Sequence, residues 1–222
     1  VNIAGPDGLT VNAKVGIGTT SPAEALDVNG ASRTITLEIT GGSPLQQPLV
    51  AWGWNDYGQT TVPSGTFAAV AAGFYHGLAI RSDGTLVGWG YNGYGEIDVP
   101  TGSFTAVAAG DSHSLAIRSD GTLVGWGRND FGQVNVPAGT FTAVAAGFYH
   151  SLAIRSDGTL VGWGRNVEGQ ISVPLGTFTA VAAGDYHSLA IRSDGTLVGW
   201  GCGAPYNYGQ CNVPTVVTFT AV

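Results

Sequence analysis

The sequence has few charged residues and no methionine. Of its 222 residues 10% are charged, and 8 basic against 15 acidic side chains leave a net charge of −7. The basic residues are scattered along the chain, which argues against a nucleic-acid partner, because phosphates need a concentrated basic surface. Since the chain begins at Val1 and lacks methionine, we expect a processed product or a fragment of a longer chain.

Long apolar runs and helical periodicity are also missing. No stretch approaches the roughly 18 consecutive apolar residues of a transmembrane helix, so we expect no membrane insertion. Apolar residues do not recur at the spacing of an amphipathic helix. The 36 glycines and the 44% hydrophobic content indicate a globular, turn-rich protein. These features favour an all-β fold.

Cysteine occurs only twice, at Cys202 and Cys211, in the segment CGAPYNYGQC. A disulfide that closes this short loop would suit an extracellular protein, and two free thiols are the alternative. We favour the disulfide because this loop is the one that departs from the repeat described next.

A repeat of 37 residues dominates the chain, as the spacing of Trp52, Trp89, Trp126, Trp163 and Trp200 shows. Within one unit, TFTAVAA, HSLAIRS, TLVGWG and GQVNVP each predict a strand, and Asp-Gly predicts a two-residue hairpin turn between the second and third. Four short antiparallel strands in about 40 residues are typical of a β-propeller blade. The predicted fold class is therefore an all-β propeller of four-stranded blades.

The phrase VAAGxxHSLAIRSDGTLVGWGxNxxGQ resembles the repeat of the regulator-of-chromosome-condensation propellers. The resemblance covers about residues 33–222, and the short period is closer to compact bacterial relatives, which include a propeller-type β-lactamase inhibitor. It implies a propeller but names no function, because this fold serves exchange factors, inhibitors and plain binding scaffolds. It also implies seven blades, and this chain departs from that number.

We predict five blades in the propeller domain. Four complete units cover about 66–100, 103–137, 140–174 and 177–214. The N-terminal unit, 33–63, offers strands at Ile35–Thr40, Leu49–Gly53 and Gln59–Val62 but lacks a first strand. The C-terminal residues 218–222, with a strand at Phe219–Val222, would fill that gap, close the ring and remove exposed sheet edges. A seven-bladed propeller that has lost two blades is the alternative.

The residues that repeat in every unit are explained by structure. One histidine per blade (His76, His113, His150, His187) would lie on a ring too wide for one metal ion, so we expect each to hydrogen-bond a neighbouring turn and predict no metal site. The Arg-Ser-Asp-Gly segments read as turns, and the tryptophans as packing between blades. Only Glu96 and Glu168 hint at the paired carboxylates of a glycosidase. We therefore predict no catalytic residues, no enzymatic activity and no cofactor.

The residues that change between repeats fall in two loops of each blade. One lies between the first and second strands, and the other follows the third strand; both emerge at the same end of an up-and-down blade. The changes keep aromatic and small polar side chains, which recognition surfaces use, whereas drift in unconstrained loops would bring mainly Ser, Gly, Lys and Glu. We call this surface the variable face, and its predicted ligand-binding residues are Trp54, Tyr57, Phe74, Tyr75, Tyr91, Tyr94, Asp111, Arg128, Phe131, Phe148, Tyr149, Arg165, Asp185, Tyr186, Tyr206 and Tyr208.

Residues 1–32 do not follow the repeat. VGIGTTSPAEALDVNG, from Val15 to Gly30, resembles a segment common in phage tail fibres and bacterial surface fibres. The resemblance implies a stem or connector that assembles as a homotrimer, and 32 residues alone are too few to bury a stable core. An arm lying on the propeller is the alternative.

These observations lead to one main functional hypothesis. We expect a non-enzymatic extracellular module, the tip of a phage tail fibre or a surface adhesin, that binds a cell-surface glycan or a protein receptor. Trimerisation would add avidity to weak single contacts. The alternatives are a structural subunit of an extracellular filament or virion decoration, and an inhibitor of a secreted enzyme.

Overall fold

The computed structural model describes residues 2–4, 10–12, 36–39, 49–214 and 217–222, and these contain strands and turns but no helix. Accordingly, no helix in this part of the chain could cross a membrane. The strands, in chain order, are β1 (Asn2–Ala4), β2 (Thr10–Asn12), β3 (Thr36–Ile39), β4 (Leu49–Trp52), β5 (Phe67–Ala72), β6 (His76–Arg81), β7 (Leu86–Gly90), β8 (Phe104–Ala109), β9 (His113–Arg118), β10 (Leu123–Gly127), β11 (Phe141–Ala146), β12 (His150–Arg155), β13 (Leu160–Gly164), β14 (Phe178–Ala183), β15 (Ser188–Arg192) and β16 (Leu197–Trp200).

The strands form a series of separate antiparallel sheets, as in a β-propeller. Four sheets have three strands each in the order of the sequence: β5-β6-β7, β8-β9-β10, β11-β12-β13 and β14-β15-β16. A two-stranded sheet, β3-β4, precedes them, and β1 pairs with β2. The all-β propeller prediction is confirmed, as are the second and third predicted strands of the N-terminal unit.

The predicted fourth strand of each blade is not formed within residues 49–214. After β10, the amides of this segment bond to nearby carbonyls: Asn135 N donates to Gly132 O (3.0 Å) and Val136 N to Val134 O (2.9 Å). Donors used in tight turns are not available for a sheet ladder. The four complete blades therefore have three strands each, followed by an ordered turn.

The turn between the second and third strands also differs from the prediction. Gly158 N donates to Arg155 O (2.9 Å) and Arg155 N to Thr159 O (2.8 Å), and Gly158 has φ of +85°. Only the glycine has positive φ, so this is a type I turn closed by a glycine bulge and not the predicted two-residue hairpin turn. Asp157 Oδ1 accepts from the amide and the hydroxyl of Thr159, which explains the constant SDGT.

The hydrophobic core lies between blades. On one face of β9, Ala116 packs in the core shared with the preceding blade, together with Ile80, Leu86 and Phe104. On the other face, Leu115 and Ile117 pack with Phe141 of the next blade. All three β9 side chains are at most 2% exposed. Because successive side chains of a strand point to opposite faces of the sheet, one strand contributes to two cores, one on each side. Burying each large aliphatic side chain contributes about 1.5–3 kcal/mol.

The two chain ends bear on the predicted ring closure. Phe219 N donates to Gly195 O (2.9 Å), as Phe141 N donates to Gly121 O (2.8 Å) at the start of an ordinary first strand. The chain therefore enters residues 219–222 by the connection used between blades, although residues 217–222 adopt no strand. Pairing of this segment with β3 stays a prediction, and the predicted stem motif, residues 15–30, lies outside the described residues.

Candidate binding face

The loop after the third strand is held in shape by two side chains. In the loop after β10, Asn129 Oδ1 accepts from Val134 N (3.1 Å), and Gln133 Oε1 accepts from Phe131 N (2.9 Å). The same two bonds recur in the loops that begin at Asn55, Asn92 and Asn166. The constant Asn and Gln or Glu thus build a rigid frame, and the variable residues are displayed from it.

Aromatic rings of the first two blades meet in one cluster. Tyr57 lies against Trp54, Tyr75 and Tyr91, with ring centroids 5.3, 5.3 and 4.9 Å away. These rings come from both kinds of variable loop and from successive blades. Edge-to-face contacts at such distances are favourable arrangements of aromatic pairs. The expectation that both loops share one end of the blades is thus met here.

The cluster continues across the remaining blades. Phe74 contacts Phe148, two blades away, with centroids 6.5 Å apart, and Phe148 packs against Tyr149 (4.3 Å) and Tyr186 (5.6 Å). Tyr186 in turn stacks on Tyr206 (4.2 Å). A contact between blades n and n+2 means that these loops converge at the end of the propeller.

Two arginines hold cationic groups over the aromatic surface. The Arg128 guanidinium lies 4.9 Å from the Tyr94 ring centroid and 5.1 Å from that of Tyr149. Its Nε donates to Asp130 (2.6 Å), and this bond raises the pKa of Arg128. Arg165 lies over Tyr186 (5.3 Å) and donates to both oxygens of Glu168, at 2.8 Å each. Both arginine charges are therefore matched by a carboxylate of their own loop.

A cleft of about 220 Å³ opens where the loops of three blades meet. Asp111 lies in it; Ser112 Oγ donates to Asp111 Oδ2 (2.8 Å), and Oδ1 accepts no hydrogen bond from the described residues. Burial raises the pKa of Asp111, opposed by the Ser112 bond and the charge of Arg128, while the charge of Asp185 adds to the rise. The lining residues are Tyr57, Tyr75, Tyr91, Tyr94, Asp111, Ser112 and Arg128.

Gly93 makes the cleft possible. A Cβ at this position would overlap the Tyr91 ring and hydroxyl, so that ring lies over its own loop only because residue 93 is glycine. The equivalent loops carry Asp56, Asp130 and Val167. Gly93 and Ser112 are absent from the predicted set, although the departure of Gly93 from the other repeats is a visible signal in the sequence.

Most of the predicted binding residues come together. Thirteen of the sixteen are linked by ring or arginine–ring contacts. Asp111 lines the cleft with several of these rings, and Asp185 acts on it through its charge. Tyr208 makes no such contact with the described residues and is 85% exposed. At the equivalent position, Phe131 packs on Tyr149 of the following blade. The blade following Tyr208 would be made from the two chain ends.

The repeated histidines link neighbouring blades instead of turns, which corrects the expected partner. His76 Nε2 lies 3.0 Å from Ser114 Oγ, and Ser114 donates to Glu96 O (2.8 Å), so the histidine is the donor. Trp126 Nε1 donates to the same carbonyl (2.7 Å). We call this set of three bonds, from histidine to serine and from serine and tryptophan to one carbonyl, the latch. The latch recurs at the next two interfaces between blades. In the described residues, no three His, Cys, Asp or Glu side chains form a metal-binding group.

The opposite end of the blades, which we call the SDGT end, is built from repeated contacts. Arg155 lies over the Phe141 ring (5.3 Å) and donates to Ala138 O (2.9 Å), and its counterparts Arg81, Arg118 and Arg192 do the same in their blades. These arginines support turns and connections, as predicted. The two ends thus differ: one repeats its contacts, and the other varies its side chains.

The predicted disulfide is present between Cys202 and Cys211, whose Cα atoms are 6.1 Å apart. It closes the loop that carries Tyr206 onto the variable face. Because this loop is longer than its counterparts and lacks their Asn after the third strand, the covalent bond replaces part of the missing frame.

Comparison with known sequences identifies the repeat. The family model described as "Regulator of chromosome condensation (RCC1) repeat" matches residues 67–96, 104–133, 141–170 and 178–210. These matches cover more than half of the chain. No curated protein matches it.

Solved structures with this fold include three informative examples. The ectodomain of the receptor kinase CR4 from Physcomitrella patens is 25% identical, with a TM-score of 0.69 over 85% of this chain and 53% of that one. Prp20p of Saccharomyces cerevisiae is 20% identical (TM-score 0.65; 84% and 61% covered). The ectodomain of the Arabidopsis thaliana receptor kinase ACR4 is 22% identical (TM-score 0.65; 84% and 70% covered). The chain therefore spans just over half of the moss ectodomain.

Proposed function

Because this chain belongs to the regulator of chromosome condensation (RCC1) repeat family, we propose that it is a non-enzymatic binding module whose variable face holds a ligand. One observation carries the proposal: aromatic side chains from successive blades form a single cluster at the end where the repeats differ. Exposed aromatic side chains cost solubility, and surfaces that keep them are usually recognition sites.

Preorganisation supports this role. The Asn and Gln bonds within each loop, together with the arginine–carboxylate pairs, hold the aromatic rings in place before a ligand arrives. A surface that needs no ordering on binding loses less entropy, which raises affinity. Related structures are consistent with binding, since yeast Prp20p, which shares the fold, binds Gsp1p and histones.

Glu96 and Glu168, the two carboxylates that hinted at a glycosidase, hold the loops in shape. Glu168 is paired with Arg165 and accepts from Gln170 (2.9 Å), and Glu96 Oε2 accepts from Tyr94 N (2.8 Å). Both therefore fix loop geometry, which supports a binding function over glycoside hydrolysis.

We further propose that the module works outside the cell, as the tip of a phage tail fibre or a surface adhesin, and that residues 1–32 assemble it as a homotrimer. The disulfide and the two plant receptor-kinase ectodomains of the same fold support an extracellular setting. The fibre and trimer assignments rest on the resemblance of Val15–Gly30 to fibre stems. Sedimentation of the full chain tests the trimer, and a monomer at high concentration would remove this part of the proposal.

Binding of fluorescently labelled protein to a panel of bacterial cells tests the role of the variable face. We expect the triple variant Tyr57→Ser, Tyr91→Ser, Tyr149→Ser to lose at least about tenfold in affinity, because it removes three central rings. Leu175→Ser is the control, since Leu175 is 93% exposed but belongs to the connection near the SDGT end. Equal binding by the triple variant and the wild type would contradict the proposal.

A further inference from the structure

We infer that the cleft binds one pyranose ring of a saccharide, with Asp111 as the main hydrogen-bond acceptor. This inference rests on the proposed function, because it names the ligand class of the variable face. The cleft brings together exposed ring surface, a carboxylate oxygen that accepts no hydrogen bond from the described residues, and a guanidinium, which are groups that bind sugars.

The apolar part of the cleft suits the C–H faces of a sugar. Tyr57 and Tyr94 are 47% and 49% exposed, so much of each ring is open to solvent. A volume of about 220 Å³ lies below the roughly 300–1,000 Å³ of pockets for larger ligands. The cleft therefore accommodates a single ring, while the aromatic surface beyond it is available to the rest of an oligosaccharide.

The polar part supplies an acceptor and a donor that both line the cleft. Asp111 Oδ1 accepts no hydrogen bond from the described residues, and Ser112 fixes the carboxylate through Oδ2. Arg128 uses Nε and Nη1 for Asp130 and Tyr149, and Nη2 makes no hydrogen bond with the described residues, so we expect it to donate to a ligand oxygen. Sugar hydroxyls both donate and accept, and hydrogen bonds to charged groups are the stronger ones.

A cationic ligand fits this geometry less well. Tyr57, Tyr75 and Tyr91 have centroids 4.9–6.1 Å apart and pack against one another. A cation about 5 Å from each of three perpendicular rings would spread their centroids to about 7 Å. Arg128 also already lies over Tyr94, so a second positive charge would be repelled. The three tyrosines therefore leave no space between their rings for a cation and present an aromatic surface to the ligand instead.

Asp111→Asn is the decisive variant, because it removes the charge and keeps the shape and the Ser112 bond. Its matched control is Asp120→Asn, which removes a charge from the same blade at the SDGT end and keeps an oxygen to accept from Thr122. A second pair is Gly93→Ala, which displaces the Tyr91 ring, and Val167→Ala at the corresponding position of another loop. The probe is an array of immobilised neutral oligosaccharides, with affinities of positive spots measured by calorimetry.

We expect selective binding to a subset of the array, at least about tenfold weaker for Asp111→Asn and Gly93→Ala and within about twofold of wild type for both controls. Equal losses in Asp111→Asn and Asp120→Asn, or none, would overturn the inference. If no saccharide binds but labelled protein still binds cells through Tyr57, Tyr91 and Tyr149, the ligand is of another class: the inference fails and the proposed function stands. Loss of cell binding after periodate, but not protease, treatment supports the saccharide.

Discussion

At the scale of single residues, the buried histidines join the blades and are sensitive to acid. His76, His113 and His150 are fully buried, each donates through Nε2 to a serine of the next blade, and Nδ1 has no partner in the described part of the chain. A proton on Nδ1 would be a buried charge without an acceptor. Burial accordingly lowers the pKa to about 4 for His76 and His150 and to about 3 for His113, where charges of neighbouring histidines add to the effect.

These depressed pKa values predict that acid weakens the fold. An unfolded histidine takes up a proton near pH 6.5, whereas the folded one stays neutral, so stability is full above pH 6.5 and is lost as pH falls toward 4. We expect each buried histidine to cost about 1–2 kcal/mol of unfolding free energy between pH 7 and 5. Urea unfolding at pH 7, 6 and 5, followed by tryptophan fluorescence, measures this.

A matched pair of variants isolates the effect. His150→Asn should flatten the pH dependence more than His187→Asn, because His187 is only partly buried and its pKa is less depressed. A urea midpoint that does not move between pH 7 and 5 would contradict the latch as described.

At the scale of elements, each blade combines a constant hairpin with a variable loop. The hairpin depends on a glycine bulge: Gly158 has φ of +85°, which other residues adopt with strain. The loops depend on Asn and Gln bonds that leave the exposed side chains free to change. Variation is thus confined to positions that do not hold the blade together.

The hairpin requirement gives a stability prediction. Gly158→Ala should lower the unfolding free energy by about 1 kcal/mol or more, because alanine must take a left-handed conformation and its Cβ would lie 3.3 Å from Thr177 Cβ. Ser156→Ala, in the same turn, is the control, because it leaves the backbone unstrained and removes only an exposed hydrogen bond from Ser156 Oγ to Thr140 Oγ1 (2.8 Å), which should change stability by about 0.5 kcal/mol. Thermal unfolding by circular dichroism measures both, and equal effects would argue against the bulge.

At the scale of the whole molecule, the latch offers a test of the predicted ring closure. Ser114, Ser151 and Ser188 lie opposite a tryptophan in the register, and each accepts from the histidine of the preceding blade. In the first complete blade, the residue opposite the tryptophan is Gly77 instead of serine. The unit before that blade has Ile35 at the sequence position of the histidine, so no hydroxyl is needed there. Thr36 takes it opposite Trp52. The register therefore assigns a threonine to the position at which a closed five-bladed ring would need a partner for His187.

Closure between the last and first blades can be tested by a double-mutant cycle. In a closed ring, His187→Ala and Thr36→Val should show a coupling of about 1 kcal/mol, because each removes one partner of the same hydrogen bond. The cycle of His150→Ala and Ser188→Ala is the positive control, since that bond is present at 3.0 Å. Coupling in the control but none between His187 and Thr36 would contradict five-bladed closure by this latch.

Much of this molecule could be predicted from its sequence because the repeat is nearly perfect. A 37-residue period with strand alternation determines the propeller class, and the antiparallel strand order places both variable loops at one end. The disulfide followed from the one irregular loop. These features are local or periodic, so spacing along the chain is enough to reveal them.

Other features depend on which atoms meet in space, and only the tertiary structure decided them. The segment predicted as the fourth strand forms a turn, because its amides donate to carbonyls a few residues away. The Asp-Gly turn contains a glycine bulge. The histidine partners lie 38 residues away in the next blade. The cleft at Asp111 needs side chains from three blades and a glycine at position 93. The sequence alone determined the propeller scaffold and the variable face, and packing between blades determined the cleft at Asp111.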